Sequence, residues 1–535
     1  MNQQSANPLI DTVASLPPLL SRIEDYLGHW AALTPDAEAI VDSHGRLSYA
    51  QLRDAVLGAA RAMRAHGVTD GACVAVLAPP SIDAFVSFLA ANTLGATWLG
   101  LNPKYTRAEL EHVINDAQPV LTLARSRIAE RDYLGDLQAI RDSLVTREGM
   151  LVLLDDRDDA HGIEKFGGRD GTDLSEGSPH NEVALFVYTS GTTGRPKAAR
   201  LSHRALVRAA AIRARVWKVT PFRSINNLPI NHVGSVGDIA CTTLVAGGCQ
   251  VYLERFTPAA TLECLQRERV SFWYQVPTMF QMCLDAAASR HIDWSHLRAA
   301  IWSGGRASHS LIERLAKVAE TLAVDYSMTE SVGAITLSPL TSSIDALDDI
   351  VGWPDPGREL RLVDADTLLP AARGAAGEVQ IRDPWMFDGY RNAEQAADAL
   401  TADGWFRTGD LAIECENGAW RIVGRSKEMF KSGGYNVYPR EVELVLEAHP
   451  GVAAVAVVET SDALYGEVGV AFVVPNAPVP AAAAAALDRH CREHLANYKI
   501  PKRYILVDAL PMLPIGKVDK VTLRRQLADH LTEAR

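Results

Sequence analysis

Between residues 22 and 66 the apolar positions recur at helical spacing: Ile23, Tyr26, Leu27, Trp30 and Leu33, then Leu52, Val56, Leu57, Ala60 and Met63. Between those two stretches, Ala39-Ile-Val-Asp42 and Arg46-Leu-Ser-Tyr49 predict two short strands around the turn Ser43-His44-Gly45, and Ser48 is placed to cap a helix from Tyr49. Cys73-Val-Ala-Val-Leu-Ala78 is an unbroken apolar run of buried-strand length, followed by a helical pattern over Ile82 to Leu94. A second apolar run, Gly95 to Leu101, leads to another helix from about Thr106. Strands alternating with helices predict an α/β fold, its sheet largely parallel and covered by helices on both faces. Residues 155–182 are polar and glycine-rich and read as a loop.

Thr257 to Ala286 and Trp294 to Ala300 repeat the alternation, and a strand over Ala299 to Ser303 ends at Gly304-Gly305-Arg306. Turn and strand signals then follow closely at Gly352-Trp-Pro-Asp-Pro-Gly357 and Gly374-Ala-Ala-Gly-Glu-Val-Gln-Ile-Arg382, the pattern of an antiparallel β subdomain. Trp420 to Lys427 is a strand running into a polar step, which marks a domain boundary. Beyond it, a helix opened by Pro439, strands over Val452 to Val458 and Val468 to Val474, and a helix over 481–495 predict a small α+β unit. Six consecutive alanines, Ala481 to Ala486, are read as helix rather than as low complexity, because alanine is the best helix former.

Composition narrows the function classes. A chain of 535 residues has room for about three domain-sized units. Its 47% hydrophobic and 22% charged content is that of an ordinary globular protein. A net charge of −12 with no basic tail argues against general nucleic-acid binding. Seven scattered cysteines without a Cys-x-x-Cys pair read as reduced thiols. The N-terminus is polar, no apolar run is long enough to span a bilayer, and the expected location is the cytoplasm. His29, His44, His66 and His112 are isolated and suggest no metal site. The helix predicted over Ser202 to Val216 carries Arg204, Arg208, Arg213 and Arg215 and is read as a solvated basic face.

The chemistry concentrates in Tyr188-Thr-Ser-Gly-Thr-Thr-Gly-Arg-Pro-Lys197, which an apolar strand enters from Val183. Gly191 and Gly194 let backbone N–H groups approach an anion, Thr189, Ser190, Thr192 and Thr193 add hydroxyl donors, and Arg195 and Lys197 add positive charge. The spacing is not that of a Walker A loop, which needs four residues between its glycines and then Gly-Lys-Ser/Thr. On composition alone the segment reads either as a phosphate cradle or as a polar turn rich in Thr and Gly.

The whole string resembles, nearly residue for residue, the phosphate loop of the adenylate-forming superfamily of acyl- and aryl-CoA ligases, luciferases and adenylation domains. Further motifs follow in that superfamily's order from about residue 25 to 525. The fold implied is a large N-terminal domain over 1–424, of mixed and parallel sheets sandwiched by helices plus a β subdomain. A hinge at 425–427 and a small mobile α+β domain over 428–535 complete it. Asn227-Leu-Pro-Ile-Asn-His-Val-Gly234 resembles the motif on the acid side. A lone His232 would be a core residue; by resemblance it closes over the carboxylate, and Gly234, where amino-acid-activating relatives carry an Asp, argues against an amino-acid substrate.

Gly304 and Gly305 would border adenine and acid, and Arg306, standing where the pattern has a small residue, either faces solvent or meets an anionic group on substrate or nucleotide. Asp325-Tyr-Ser-Met-Thr-Glu330 is similar to the Tyr-Gly-x-Thr-Glu motif, with Ser327 in place of glycine. The resemblance implies that Tyr326 stacks on adenine, Thr329 bonds a phosphate oxygen and Glu330 holds Mg²⁺, with Asp325 beside the nucleotide. It puts Asp410 and Arg425 on the ribose, Lys427 at the hinge, and Gly433 and Gly434 beside a pantetheine tunnel. Leu513-Pro-Ile-Gly-Lys517 looks like the catalytic-lysine loop, with Lys517 bridging acid and α-phosphate. His232, Val233, Gly234, Asp238, Trp302, Arg306, Met328 and Val332 would line the acid pocket.

The activity implied is ATP- and Mg²⁺-dependent adenylation of a carboxylic acid, followed by domain alternation and transfer to the thiol of coenzyme A. An aryl or medium-sized acid is favoured. Two alternatives remain at this point: loading of a separate carrier protein's phosphopantetheine, or activation of another oxyanion such as nitrite for N–N bond formation on an aryl amine. No fused carrier domain is expected after Lys520, and neither a nucleic acid nor a membrane is an expected partner.

Overall fold

The computed structural model describes residues 7–143, 150–154, 180–190, 196–364, 367–392, 399–426, 428–433, 435–462, 464–476, 483–512 and 518–533. Of the residues singled out above, Gly191, Thr192, Thr193, Gly194, Arg195, Lys427, Gly434 and Lys517 lie outside them, as do residues 155–179 of the segment read as a loop.

Six strands among the described residues form one sheet, in the order Pro196–Ser202, Val183–Ser190, Thr97–Gly100, Cys73–Leu77, Leu121–Ala124 and Met150–Leu153. They are parallel except for Pro196–Ser202, which folds back antiparallel on Val183–Ser190. A nine-stranded sheet is built around the parallel strands Glu38–Val41, Cys249–Tyr252, Arg223–Asn226, Phe272–Gln275, Ala299–Trp302 and Thr321–Ser327. One hydrophobic core takes in side chains from both sheets and from helices Tyr49–Ala65, Ile82–Thr93 and His203–Val216. Those helices start where local chemistry says they should. Ser48 and Gln51 form a reciprocal capping box, and Ser81 accepts from the Ala84 N–H.

Alternation along the nine-stranded sheet sorts its side chains into two cores. Trp273, Ala300 and Trp302 pack on one face with helices Pro258–Arg267, Pro277–Ala287 and His309–Ala316. Phe272, Tyr274, Ala299 and Ile301 pack on the other. The expected β subdomain is a four-stranded antiparallel sheet of Leu360–Val363, Gly377–Ile381, Phe406–Glu414 and Trp420–Arg425. Sheet membership changes after Arg425. Phe430–Ser432 and Tyr435–Val437 join Val452–Asp462, Gly466–Pro475 and Arg503–Leu506 in a separate sheet with its own core. No helix among the described residues is long and apolar enough to cross a membrane.

The basic helix is not the solvated face that its charges suggest. Arg204 pairs with Asp388 at the surface and Arg215 reaches Ser15, but Arg208 and Arg213 point inward. Arg208 donates both terminal nitrogens to Asp355, at 2.8 and 3.0 Å. Arg213 is 2.9 Å from carboxylates of both Asp238 and Asp325, and Tyr274 donates to Asp325 at 3.0 Å. Burial pushes the Asp238 carboxyl up, with the Arg213 charge acting against it. The three carboxylates that Arg208 and Arg213 meet come from three separate segments, so no local pattern shows that they wait for these arginines. Replacing Arg213 by Met leaves two buried carboxylates side by side without their cation. It should destabilise the protein by about 3–5 kcal/mol, read as a lowered urea midpoint, and an unchanged midpoint would show that the pair carries no net stability.

Candidate active site

The turn after strand Thr321–Ser327 organises the site. Its last strand residues and the short helix Thr329–Ser331 put Tyr326 and Glu330 four positions apart. The Ser331 hydroxyl donates to the Met328 carbonyl and accepts from the Met328 N–H, closing the turn. Val332 is held at φ +60°, a strained conformation for a β-branched residue. Strain of this kind persists where surrounding structure over-determines the backbone.

From that turn, Tyr326 reaches one way. Its hydroxyl donates to Asp410 at 2.6 Å, and Arg425 Nε donates to the other oxygen of the same carboxylate at 2.8 Å. Asp410 and Arg425 face each other across two antiparallel strands, and Gly409 supplies the left-handed φ that turns the chain into Asp410. The three residues that the sequence assigns to nucleoside therefore meet.

Glu330 reaches the other way. It is buried, and the Tyr390 hydroxyl donates to its Oε1 at 2.7 Å, while its carbonyl accepts from the Phe387 N–H. Lys197 Nζ lies 5.7 Å from the centre of the Tyr390 ring. Lys197 stands opposite Thr189 in the hairpin whose two strands flank residues 191–195, and Ser190 stands opposite Pro196. Residues 388–391 are sewn onto that hairpin by backbone bonds from Asp388 to Arg200, Arg200 to Gly389 and Arg391 to Ala198. Tyr188 anchors the other strand through its hydroxyl to Asp116.

Burial, with Asp410 beside one phenol and Glu330 beside the other, raises the pKa values of Tyr326 and Tyr390 above the usual tyrosine value, so both stay protonated donors. Sequence reading missed Tyr390. The Asp388-Gly389-Tyr390 turn carries no chemical signal until folding brings it to Glu330, 60 positions earlier.

On the acid side, the Gly234 N–H donates to His232 Nδ1 at 3.0 Å. That bond fixes the tautomer and leaves the proton on Nε2 of an exposed ring. A Cβ on Gly234 would come within 3.1 Å of His232 Nδ1, so the glycine serves this contact. Gly304, at φ +74°, and Gly305 follow the strand that ends at Trp302. Ser327 and Met328 are half-buried beside Thr329.

The other residues expected in the acid pocket have the following surroundings. Asp238 belongs to the Arg213 ion pair, and Asp325, expected beside the nucleotide, belongs to it too. Trp302 lies in the core next to Trp273, and Val233, Gly234 and Val332 are buried. Arg306 is 3.1 Å from Asp349, which also pairs with Arg421, so the anion that it meets is one of the protein's own carboxylates. Gly433 is exposed at φ +58° in the small domain, its N–H bonded to the Tyr465 carbonyl.

Glu330 and the Lys197 hairpin fit the groups that the motifs imply. A carboxylate is the hard oxygen ligand that Mg²⁺ takes, and a cation beside Thr-lined backbone suits phosphate. Tyr390→Phe keeps the ring under Lys197 but removes the donor that orients Glu330. It should lower ATP–pyrophosphate exchange by about 10-fold and raise the Mg²⁺ concentration needed; exchange at the wild-type rate and Mg²⁺ optimum would show that the hydroxyl does not position Glu330.

The chain as a whole resembles known proteins. The AMP-binding enzyme family matches residues 27–391, and the AMP-binding enzyme C-terminal domain matches residues 441–517. An indoleacetate–CoA ligase of Aromatoleum aromaticum is 32% identical over 95% of this chain and 98% of its own. A feruloyl-CoA synthase of an Amycolatopsis species is 31% identical over 94% and 99%. Among solved structures, ATP-bound MatB from Rhodopseudomonas palustris superposes with a TM-score of 0.82 at 29% identity, covering 94% of this chain and 98% of that one. The chain belongs to the AMP-binding enzyme family.

Proposed function

We propose that this protein joins an aryl or medium-sized carboxylic acid to coenzyme A by way of an acyl-adenylate, using ATP and Mg²⁺. The observation that carries the reading is the single turn that presents Tyr326 to Asp410 and Arg425 on one side and Glu330 to Tyr390 and Lys197 on the other. A nucleotide laid along it has its ribose hydroxyls toward Asp410 and its phosphates toward the 189–197 hairpin.

A carboxylate is a poor electrophile. Its oxygen attacks the α-phosphorus of ATP in line, pyrophosphate leaves, and negative charge grows on the α-phosphoryl oxygens and the departing bridge oxygen. Fixed donors and cations aimed at those atoms lower the barrier. Lys197, the hydroxyls of Thr189, Ser190 and Thr329, and residues 191–195 serve the phosphates. Glu330 would hold Mg²⁺, which neutralises charge on the leaving group. His232, with its Nε2 proton, is an exposed donor for the acid carboxylate. Lys517 bridges acid and α-phosphate in this first step. Rotation about Lys427 then withdraws it and brings Gly433 and Gly434 toward the thiol channel, the kind of hinge motion that a few residues carry.

The names of two relatives, indoleacetate and ferulate, support the aromatic preference, and Gly234, which leaves no anionic side chain to meet an ammonium, argues against an amino acid. All seven cysteines are free thiols, which suits the cytoplasm.

A pyrophosphate-release screen over benzoates, cinnamates and fatty acids, with and without coenzyme A, tests the substrate class. Turnover with flat aromatic acids and consumption of free CoA are expected. Pyrophosphate release without CoA consumption, or turnover with nitrite and an aryl amine in place of an acid, would overturn the reading. Lys517→Ala should lower adenylation by about 10²–10³-fold while leaving thioester formation from supplied acyl-adenylate largely intact; equal loss of both half-reactions would contradict the two-conformation scheme. Lys427→Pro should do the reverse, sparing adenylation and slowing thioester formation, and normal overall turnover would refute the hinge assignment.

A further inference from the structure

The small domain carries a cluster that the adenylation chemistry does not use. Helix Ala483–His494 ends in His490-Cys-Arg-Glu493-His494. Spacings of three and four put His490, Glu493 and His494 on one face of the helix. One ligand-type atom from each lies within 4.8 Å of the other two.

The imidazoles are already arranged as metal ligands are. His490 Nε2 is 2.9 Å from the Val445 carbonyl and His494 Nδ1 is 2.8 Å from the His490 carbonyl. A carbonyl oxygen can only accept, so those two nitrogens carry the protons, and Nδ1 of His490 and Nε2 of His494 keep their lone pairs. This is the outer hydrogen bond that fixes tautomer and ring orientation in metal-bound histidines. The two rings lie 4.4 Å apart, centre to centre. His449 packs edge-on against His490, but its Nδ1 accepts from the Gly451 N–H, so it is a neighbour and not a ligand.

The surroundings favour a cation. The cluster occupies the last helical turn, where the macrodipole is negative. Arg492 is turned to Asp488 by a bond of 2.6 Å, which neutralises the adjacent positive charge. Glu493 and His494 are exposed, and the Glu493 carboxylate has room to turn toward the two imidazoles. A tetrahedral ion with bonds of about 2.1 Å needs ligand atoms roughly 3.4 Å apart, a small closure from the present spacing.

We propose that His490, Glu493 and His494 form a binding site for a first-row divalent transition ion. Two imidazoles and one carboxylate select Zn²⁺, Ni²⁺ or Cu²⁺ over Mg²⁺ or Ca²⁺. The ion takes three protein ligands and a water. Because His490 is tied to Val445, it also fastens the end of this helix to helix Pro439–Glu447.

The test is equilibrium dialysis of the full-length protein, stripped with chelator, against Zn²⁺ without nucleotide or CoA. Wild type should take up one Zn²⁺ that His494→Ala and His490→Gln each weaken by at least about 10-fold, with a smaller loss for Glu493→Gln. His291→Ala, at an exposed histidine in the large domain, should bind as wild type does. Circular dichroism of His494→Ala, altered only at an exposed helix end, confirms that its fold is kept. Co²⁺ in place of Zn²⁺ should give visible tetrahedral absorption that His494→Ala abolishes. Zinc uptake equal in wild type, His494→Ala and His490→Gln, or no uptake by wild type, overturns the proposal.

Discussion

Each of the two carboxylates at the centre of this site is withdrawn from water and held by a tyrosine hydroxyl. Asp410 receives Tyr326 and Glu330 receives Tyr390. An ionised carboxylate is costly to bury unless donors replace its water. The phenol is a good replacement here, because burial beside a negative charge keeps it protonated. One strand end supplies both halves: Tyr326 as donor to one carboxylate, Glu330 as the other. The Ser331 turn, the strained Val332 and the stitching of residues 388–391 to the 196–202 strand all fix where that strand end points.

Much of the architecture could be read along the chain. Cys73–Leu77 and Tyr49–Ala65 are legible because their burial is local and periodic, and Ser48 announces its helix by a bond only three residues long. What escaped reading is set by distance. Arg208 and Arg213 stand in a helix whose charges read as a solvated face, yet their partners at Asp355, Asp238 and Asp325 lie far off in sequence. Asp238 was expected at the acid and Asp325 at the nucleotide for the same reason: a motif shows which residue types occur, not which of them a buried arginine claims. Tyr390 was invisible in a related way, since a phenol in a turn means nothing until a carboxylate stands beside it.

The small domain has its own ionic logic. Lys520 lies three positions after Lys517 and is 2.7 Å from Glu428 and 2.9 Å from Glu443, while Arg440 binds Glu443 and Glu447. The place of Lys520 ties helix Lys520–Glu533 to the segment immediately after Lys427, so the two ends of the proposed moving body are joined by charge. Changes to Lys520 therefore bear on the rigidity of that body and not on the chemistry itself.

The central claim is that an oxygen of the acid becomes bonded to the α-phosphorus. Carboxyl-oxygen-18 acid that supports thioester formation, turned over once with ATP and coenzyme A, tests this directly by mass spectrometry of the nucleotide. AMP carrying one labelled oxygen and unlabelled pyrophosphate are expected. Label in orthophosphate with ADP as the nucleotide product, or unlabelled AMP, would contradict it.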